Sequence, residues 1–128
     1  MDITPCPCGS GNRLDQCCGP VIRHHCAESA EQLMRSRYTA FVLLDDNYLS
    51  DTWHPSTRPQ ELQLDPDQRW LGLKINATEA GNAGDKTGIV EFVARYKIAG
   101  RGHRLHEVSR FVHENGHWFY VDGDFPAR

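Results

Sequence analysis

The stretch CPCGSGNRLDQCCGP, residues 6–20, carries four of the five cysteines of a 128-residue chain. Two short pairs, Cys6-x-Cys8 and Cys17-Cys18, flank eight residues that include Gly9 and Gly11. Four thiolates close a tetrahedron around a divalent ion at about 2.3 Å and leave no position for water, so the chemistry on offer is structural. Zn²⁺ is the expected occupant, and iron suits the same four sulfurs. A disulfide reading fits poorly, because bridging the neighbours Cys17 and Cys18 closes a strained ring. The glycines between the pairs let the backbone turn its N–H groups toward the sulfurs.

The remaining chemistry-bearing residues are more scattered. Cys26 is surplus to a tetrahedral site and is expected as a partly buried thiol near the next helix. His24 and His25 bring no carboxylate at ligand spacing and are expected in solvent. In HRLHEVSRFVHE, one strand face carries His103, Leu105, Glu107, Ser109, Phe111 and His113, the other Arg104, His106, Val108, Arg110, Val112 and Glu114. Neither face is cleanly apolar, so one of them meets a polar pocket or a partner. Glu107 is the catalytic candidate there, as a general acid or base in an apolar setting. Against it stands a cross-strand ion pair, Glu107 with Arg95 or Glu91 with Arg110, which outweighs catalysis because no acid–base pair is singled out by spacing. His54, at the corner Trp53-His54-Pro55, is a second candidate, weighed against a cationic cap on the preceding helix.

These residues need elements to position them. Residues 1–20, rich in Cys, Gly and Pro, have almost no apolar side chain to bury and form the knuckle segment, which Gly19-Pro20 is expected to end; 21–28 read as a connector; 29–128 form an α+β domain. Ser29 followed by Gln32 is a capping box. Ala30, Leu33, Met34, Tyr38, Phe41 and Leu44 recur at helical spacing, which predicts a helix to about Leu44. Asp45 and Asp46 suit the start of a shorter helix bearing Tyr48, Leu49 and Trp53, stopped by Pro55. Residues 55–68, with three of seven prolines, read as a long loop. Four strands follow, over 69–79, 88–98, 103–114 and 118–122, joined by AGNAGDKTG, AGRG and the tight Asn115-Gly116 pair. An antiparallel sheet with two helices on one face is the predicted architecture.

The residues CPCGSGNRLDQCCG resemble the SEC-C motif, the metal-binding knuckle also found at the C-terminus of the bacterial preprotein translocase motor. That resemblance implies zinc held by Cys6, Cys8, Cys17 and Cys18. AEQLMRSRYTAFVLLDDNYLSDTWHPSTRP and LHEVSRFVHENGHWFYVDG resemble the YchJ-type family of small bacterial proteins, in which a SEC-C knuckle precedes a nuclear-transport-factor-two-like domain. The implied fold is a curved, cystatin-like sheet wrapped around N-terminal helices to make a cone with an open mouth.

Composition narrows the function. Net charge is −3 and the basic residues are dispersed among acids, which argues against a nucleic-acid partner. No apolar run reaches membrane-spanning length, and MDITPCPC lacks the pattern of a signal peptide, so a cytoplasmic protein is expected. The preferred reading is a non-catalytic adaptor whose zinc knuckle docks a protein or ribosomal partner, as the translocase knuckle does. The alternative is a small cone-fold enzyme of isomerase, dehydratase or hydrolase type, or a small-ligand binder, acting through the sheet pocket.

Overall fold

The computed structural model describes residues 4–126; residues 1–3 of the expected knuckle segment and 127–128 of the expected α+β domain lie outside the described residues. A single 3₁₀ turn, Leu14–Gln16, leads into α1 (Cys18–His24), α2 (Ala30–Val42) and α3 (Asp46–Asp51). The strands are β1 (Arg69–Ala80), β2 (Thr87–Ile98), β3 (Arg101–Glu114) and β4 (His117–Asp124), paired antiparallel in sequence order. The α+β architecture is therefore as the sequence predicts.

Local chemistry explains most of these boundaries. Ser29 Oγ accepts from Gln32 N at 3.0 Å, and Gln32 Oε1 accepts from Glu28 N, fixing the first turn of α2. Asp45 Oδ1 accepts from Tyr48 N and caps α3. Two of the hairpins close on two-residue turns, Ala99-Gly100 and Asn115-Gly116, whose first residues sit at φ 52° and 53°. The tighter turn at Ala99 starts β3 at Arg101, two residues earlier than the sequence suggests.

Helix α1 is the main departure. Gly19-Pro20, expected to end the knuckle, lies inside its first turn. Proline is tolerated there because its missing N–H is one that the helix leaves unpaired in any case. The connector is thus partly helical, ending at His25 with a left-handed φ of 52°. Helix α3 ends at Asp51, so Trp53 lies beyond it and bridges to Tyr120 of β4.

Register shifts at Trp70/Gly72, Ile75/Ala77 and Arg110/Phe111 bend the sheet. Its inner-face residues Val90, Phe92, Ala94, Phe111 and Trp118 share one core with Leu33, Met34 and Tyr38 of α2 and Tyr48 and Leu49 of α3. Helix α2 is covered on more than its apolar stripe: Ser36, Arg37 and Thr39 are buried as well. The knuckle accounts for part of this cover, since Cys6 Sγ lies 3.7 Å from Thr39 Oγ1 and Arg35 Nη1 donates to Cys8 O at 2.8 Å. One helix therefore serves both halves of the molecule.

Candidate functional site

In the knuckle, the Sγ atoms of Cys6, Cys8, Cys17 and Cys18 all lie within 4.8 Å of one another. Four sulfurs about 2.3 Å from a shared ion stand roughly 3.8 Å apart, and Cys8 and Cys17 stand at 3.7 Å. The donor set and its spacing fit a four-thiolate metal centre. Gly9 and Gly11 take φ of 80° and 89°, which turns the loop tightly enough for Cys6 N to donate to Asn12 O. Ser10 Oγ lies 3.2 Å from Cys17 Sγ.

The electrostatics of the sulfurs ask for a cation. The neighbouring Cys18 thiol holds the Cys8 thiol well below its usual range against the cost of burial, and Ser10 adds its hydroxyl and backbone N–H. The same contact, together with burial, pushes Cys18 far up, and burial raises Cys17. One thiolate is thus comfortable and its neighbours resist joining it; a divalent ion held by the four sulfurs would reverse that balance. Cys6, Cys8 and Cys18 are buried, packed by Leu14, Ile22 and Leu73, while the loop Gly9–Asn12 is exposed.

The second feature is a cavity of about 370 Å³ between α2 and the inner face of the sheet. Its walls include Tyr38, Phe41, Trp70, Phe92 and Leu105, and its polar floor is Arg37, Glu107, Ser109 and Tyr120. Glu107 Oε2 accepts from Ser109 Oγ at 2.8 Å and from the Tyr120 hydroxyl at 2.7 Å. The bulge at Arg110/Phe111 brings Gly123 opposite Ser109, and a Cβ at Gly123 would overlap the Glu107 carboxylate. Only glycine leaves the carboxylate its place.

Arg37 is a buried cation held by three kinds of contact. Its Nη1 donates to Leu49 O at 2.9 Å and Thr52 Oγ1 at 2.7 Å, and its Cζ lies 5.2 Å from the Trp53 ring centroid and 4.8 Å from that of Tyr120. Burial pulls the guanidinium down to about 10, which leaves it charged at neutral pH. Burial, reinforced by the hydrogen bond to Glu107, pushes the Tyr120 phenol well above its usual range.

Residues 29–123 match the model of the YchJ middle NTF2-like domain, and residues 4–20 match the SEC-C motif. The chain belongs to the YchJ-type family, whose curated relatives are UPF0225 proteins. It is 50% identical to a UPF0225 protein of Chromobacterium violaceum, over 92% of this chain and 90% of that one. It is also 50% identical to one of Streptomyces coelicolor, with 98% of each chain covered. Among solved structures, a SEC-C motif containing protein from Rhodopseudomonas palustris superposes with a TM-score of 0.81 at 33% identity, covering 95% of this chain and 98% of that one. A second, from Psychrobacter arcticus, gives 0.75 at 26% identity, covering 96% and 83%.

Within this YchJ-type frame the sequence-derived candidates separate. Glu107 sits on the cavity floor, bonded to Ser109 and Tyr120 and to neither Arg95 nor Arg110. Glu91 instead meets His106 Nε2 at 2.7 Å on the outer face, and Arg110 pairs with Asp122 and Asp124. His54 is not among the residues lining the cavity, and its ring bonds to Ser56 and Glu114 instead of capping α3. Its Nε2 meets Glu114 Oε1 at 3.0 Å, and its Nδ1 accepts from Ser56, tying the loop to the end of β3. Cys26 is exposed rather than partly buried, because α1 carries it past the core to a weak contact with Pro20 O. His24 and His25 are exposed, although the His25 ring stacks edge-on against Tyr48.

Arg37 and Tyr120 escaped the sequence reading. A charged residue on a helix normally marks the solvent side, and here α3, the Thr52-Trp53 corner and Tyr120 of β4 close over this one. The signal available was the position of Arg37 between Leu33, Met34, Tyr38 and Phe41, within the apolar stripe itself.

Proposed function

We propose that the chain is a zinc-stapled, non-catalytic adaptor. Zn²⁺ held by Cys6, Cys8, Cys17 and Cys18 supplies cohesion to the knuckle, because four thiolates saturate its coordination. The observation that carries this reading is the convergence of four sulfurs within 4.8 Å in a segment whose own apolar cover, besides the cysteines, is little more than Leu14. A metal site of this type contributes an apparent free energy of roughly 10–16 kcal/mol near neutral pH, ample to order so short a segment.

A saturated metal leaves the exposed surface of the knuckle as its working part. Gly9–Asn12 and then Asp15 and Gln16 face solvent on a base fixed by Arg35 and Thr39. Loops held on a rigid base are favoured binding elements, and this one is read as a docking surface for a protein or ribosomal partner. The reading places the protein in the cytoplasm, where thiolate ligands stay reduced. Among the described residues no helix is long and apolar enough to cross a membrane.

The test is affinity capture with the full chain, its Cys17→Ser variant and an Asp15→Lys variant, each analysed for metal. Partners held by the wild type should be lost on Cys17→Ser together with the zinc, and lost on Asp15→Lys with zinc retained. The same partners captured by the metal-free protein would overturn the adaptor reading. An iron rather than zinc content would correct the metal alone.

A further inference from the structure

The cone cavity is built for a ligand of definite polarity, and this inference is independent of the metal in the knuckle. The cavity holds about 370 Å³, enough for a fused two-ring molecule, and falls in the size range of small-molecule sites. Its walls are aromatic: Trp70 lies 5.5 Å from Tyr38 and 5.7 Å from Phe41 between ring centroids. Flat apolar ligands gain most against such walls.

The floor decides which flat ligands. Both donors that reach Glu107, Ser109 Oγ and the Tyr120 hydroxyl, bond to Oε2. Among the described residues Oε1 has no hydrogen-bond partner, although Glu107 is only 7% exposed and lines the cavity. A carboxylate oxygen left over in such a place accepts strongly from whatever donor enters.

Charge excludes two classes. Arg37 lies over the Tyr120 ring and Glu107 takes the hydroxyl of the same residue, so the floor already holds one cation and one carboxylate around Tyr120. An anionic ligand meets Glu107, and the one cation of the floor, Arg37, already has that carboxylate acting on it as a countercharge. A cationic one meets Arg37, whose Nη1 is engaged by Leu49 O and Thr52 Oγ1. Bringing a third charge into this apolar space carries a desolvation cost that no second partner offsets. A neutral donor has no such cost.

We propose that the cone binds a neutral, planar aromatic molecule bearing an O–H or N–H group, with its donor on Glu107 Oε1 and its rings against Trp70 and Tyr38.

The experiment titrates the full-length, metal-replete protein with 2-naphthol, its methyl ether, 2-naphthoate and 2-naphthylmethylammonium, reading the tryptophan indole signals by NMR. Trp53 and Trp70 line the cavity, whereas Trp118 does not. The signals of Trp53 and Trp70 should move with 2-naphthol, which should bind about tenfold more tightly than the methyl ether that lacks its donor. Glu107→Gln should reduce that preference to a few-fold or less. Leu105→Phe, which narrows the cavity and leaves Glu107 in place, should weaken both neutral probes together. Equal affinity for naphthol and ether, tighter binding of either charged probe, shifts confined to Trp118, or no binding by any probe would each overturn the proposal.

Discussion

The knuckle and the cone solve the same problem, ordering a chain, by different means. The cone buries a continuous apolar core in which Leu33, Leu49, Val90 and Phe111 are at most 1% exposed. The knuckle buries three of its own cysteines and little else, with Leu73 of β1 and Ile22 of α1 as borrowed cover. Burial of carbon stabilises the first at roughly 25 cal/mol per Å². The second, on the proposed reading, would depend on ligation, because its few apolar side chains cannot offset the backbone entropy of ordering it. The two meet on α2, which gives Arg35 and Thr39 to the knuckle and Met34, Arg37 and Tyr38 to the cone. The difference teaches that the two regions should fail under different insults.

Replacing a metal ligand should give the largest and most one-sided effect. Cys8→Ser, at a fully buried position, should strip the metal and abolish amide-exchange protection over residues 4–17, while β2 and β3 keep theirs. Uniform loss of protection across both regions would erase the distinction. The mirror experiment is Phe111→Ala, which should cost the cone about 3–5 kcal/mol in denaturant unfolding while metal content stays near one per chain.

The two regions should also answer to opposite ends of the pH scale. Acid protonates thiolate ligands and releases metal from the knuckle. Alkali attacks the cone: burial pushes the Tyr38 and Tyr48 phenols up to about 12, above the usual 10 of a free phenol. These phenols hold their protons longer folded than unfolded. Their contribution is therefore complete below pH 10 and declines as pH rises from there through about 12. Thermal melts between pH 8 and 11, followed by near-ultraviolet circular dichroism, should fall only above pH 10. The smallest effect belongs to the shared seat, where Arg35→Ala removes the donor to Cys8 O and should cost the knuckle about 1 kcal/mol, read as a modest rise in metal loss to a chelator.

Much of this division was readable from residue types. The four cysteines declare the knuckle, the Ser29 and Asp45 caps start the right helices, and Asn115-Gly116 sets the last hairpin. What escaped depends on contacts between distant segments. Gly19-Pro20 reads as a stop until the chain is seen to need an unpaired N–H position there, at the start of α1. Arg37 reads as solvent-facing until α3, Trp53 and Tyr120 of β4 close over that side of α2. Tyr120 becomes the partner of Glu107 only after a one-residue bulge shifts β4 against β3, and no periodicity announces a bulge.

The most direct test of the account is metal analysis coupled to amide exchange on one sample purified under reducing conditions. One zinc per chain is expected, with removal by chelator freeing the amides of residues 4–17 and leaving those of β2 and β3 protected. A metal-free protein whose knuckle amides are already protected would contradict it.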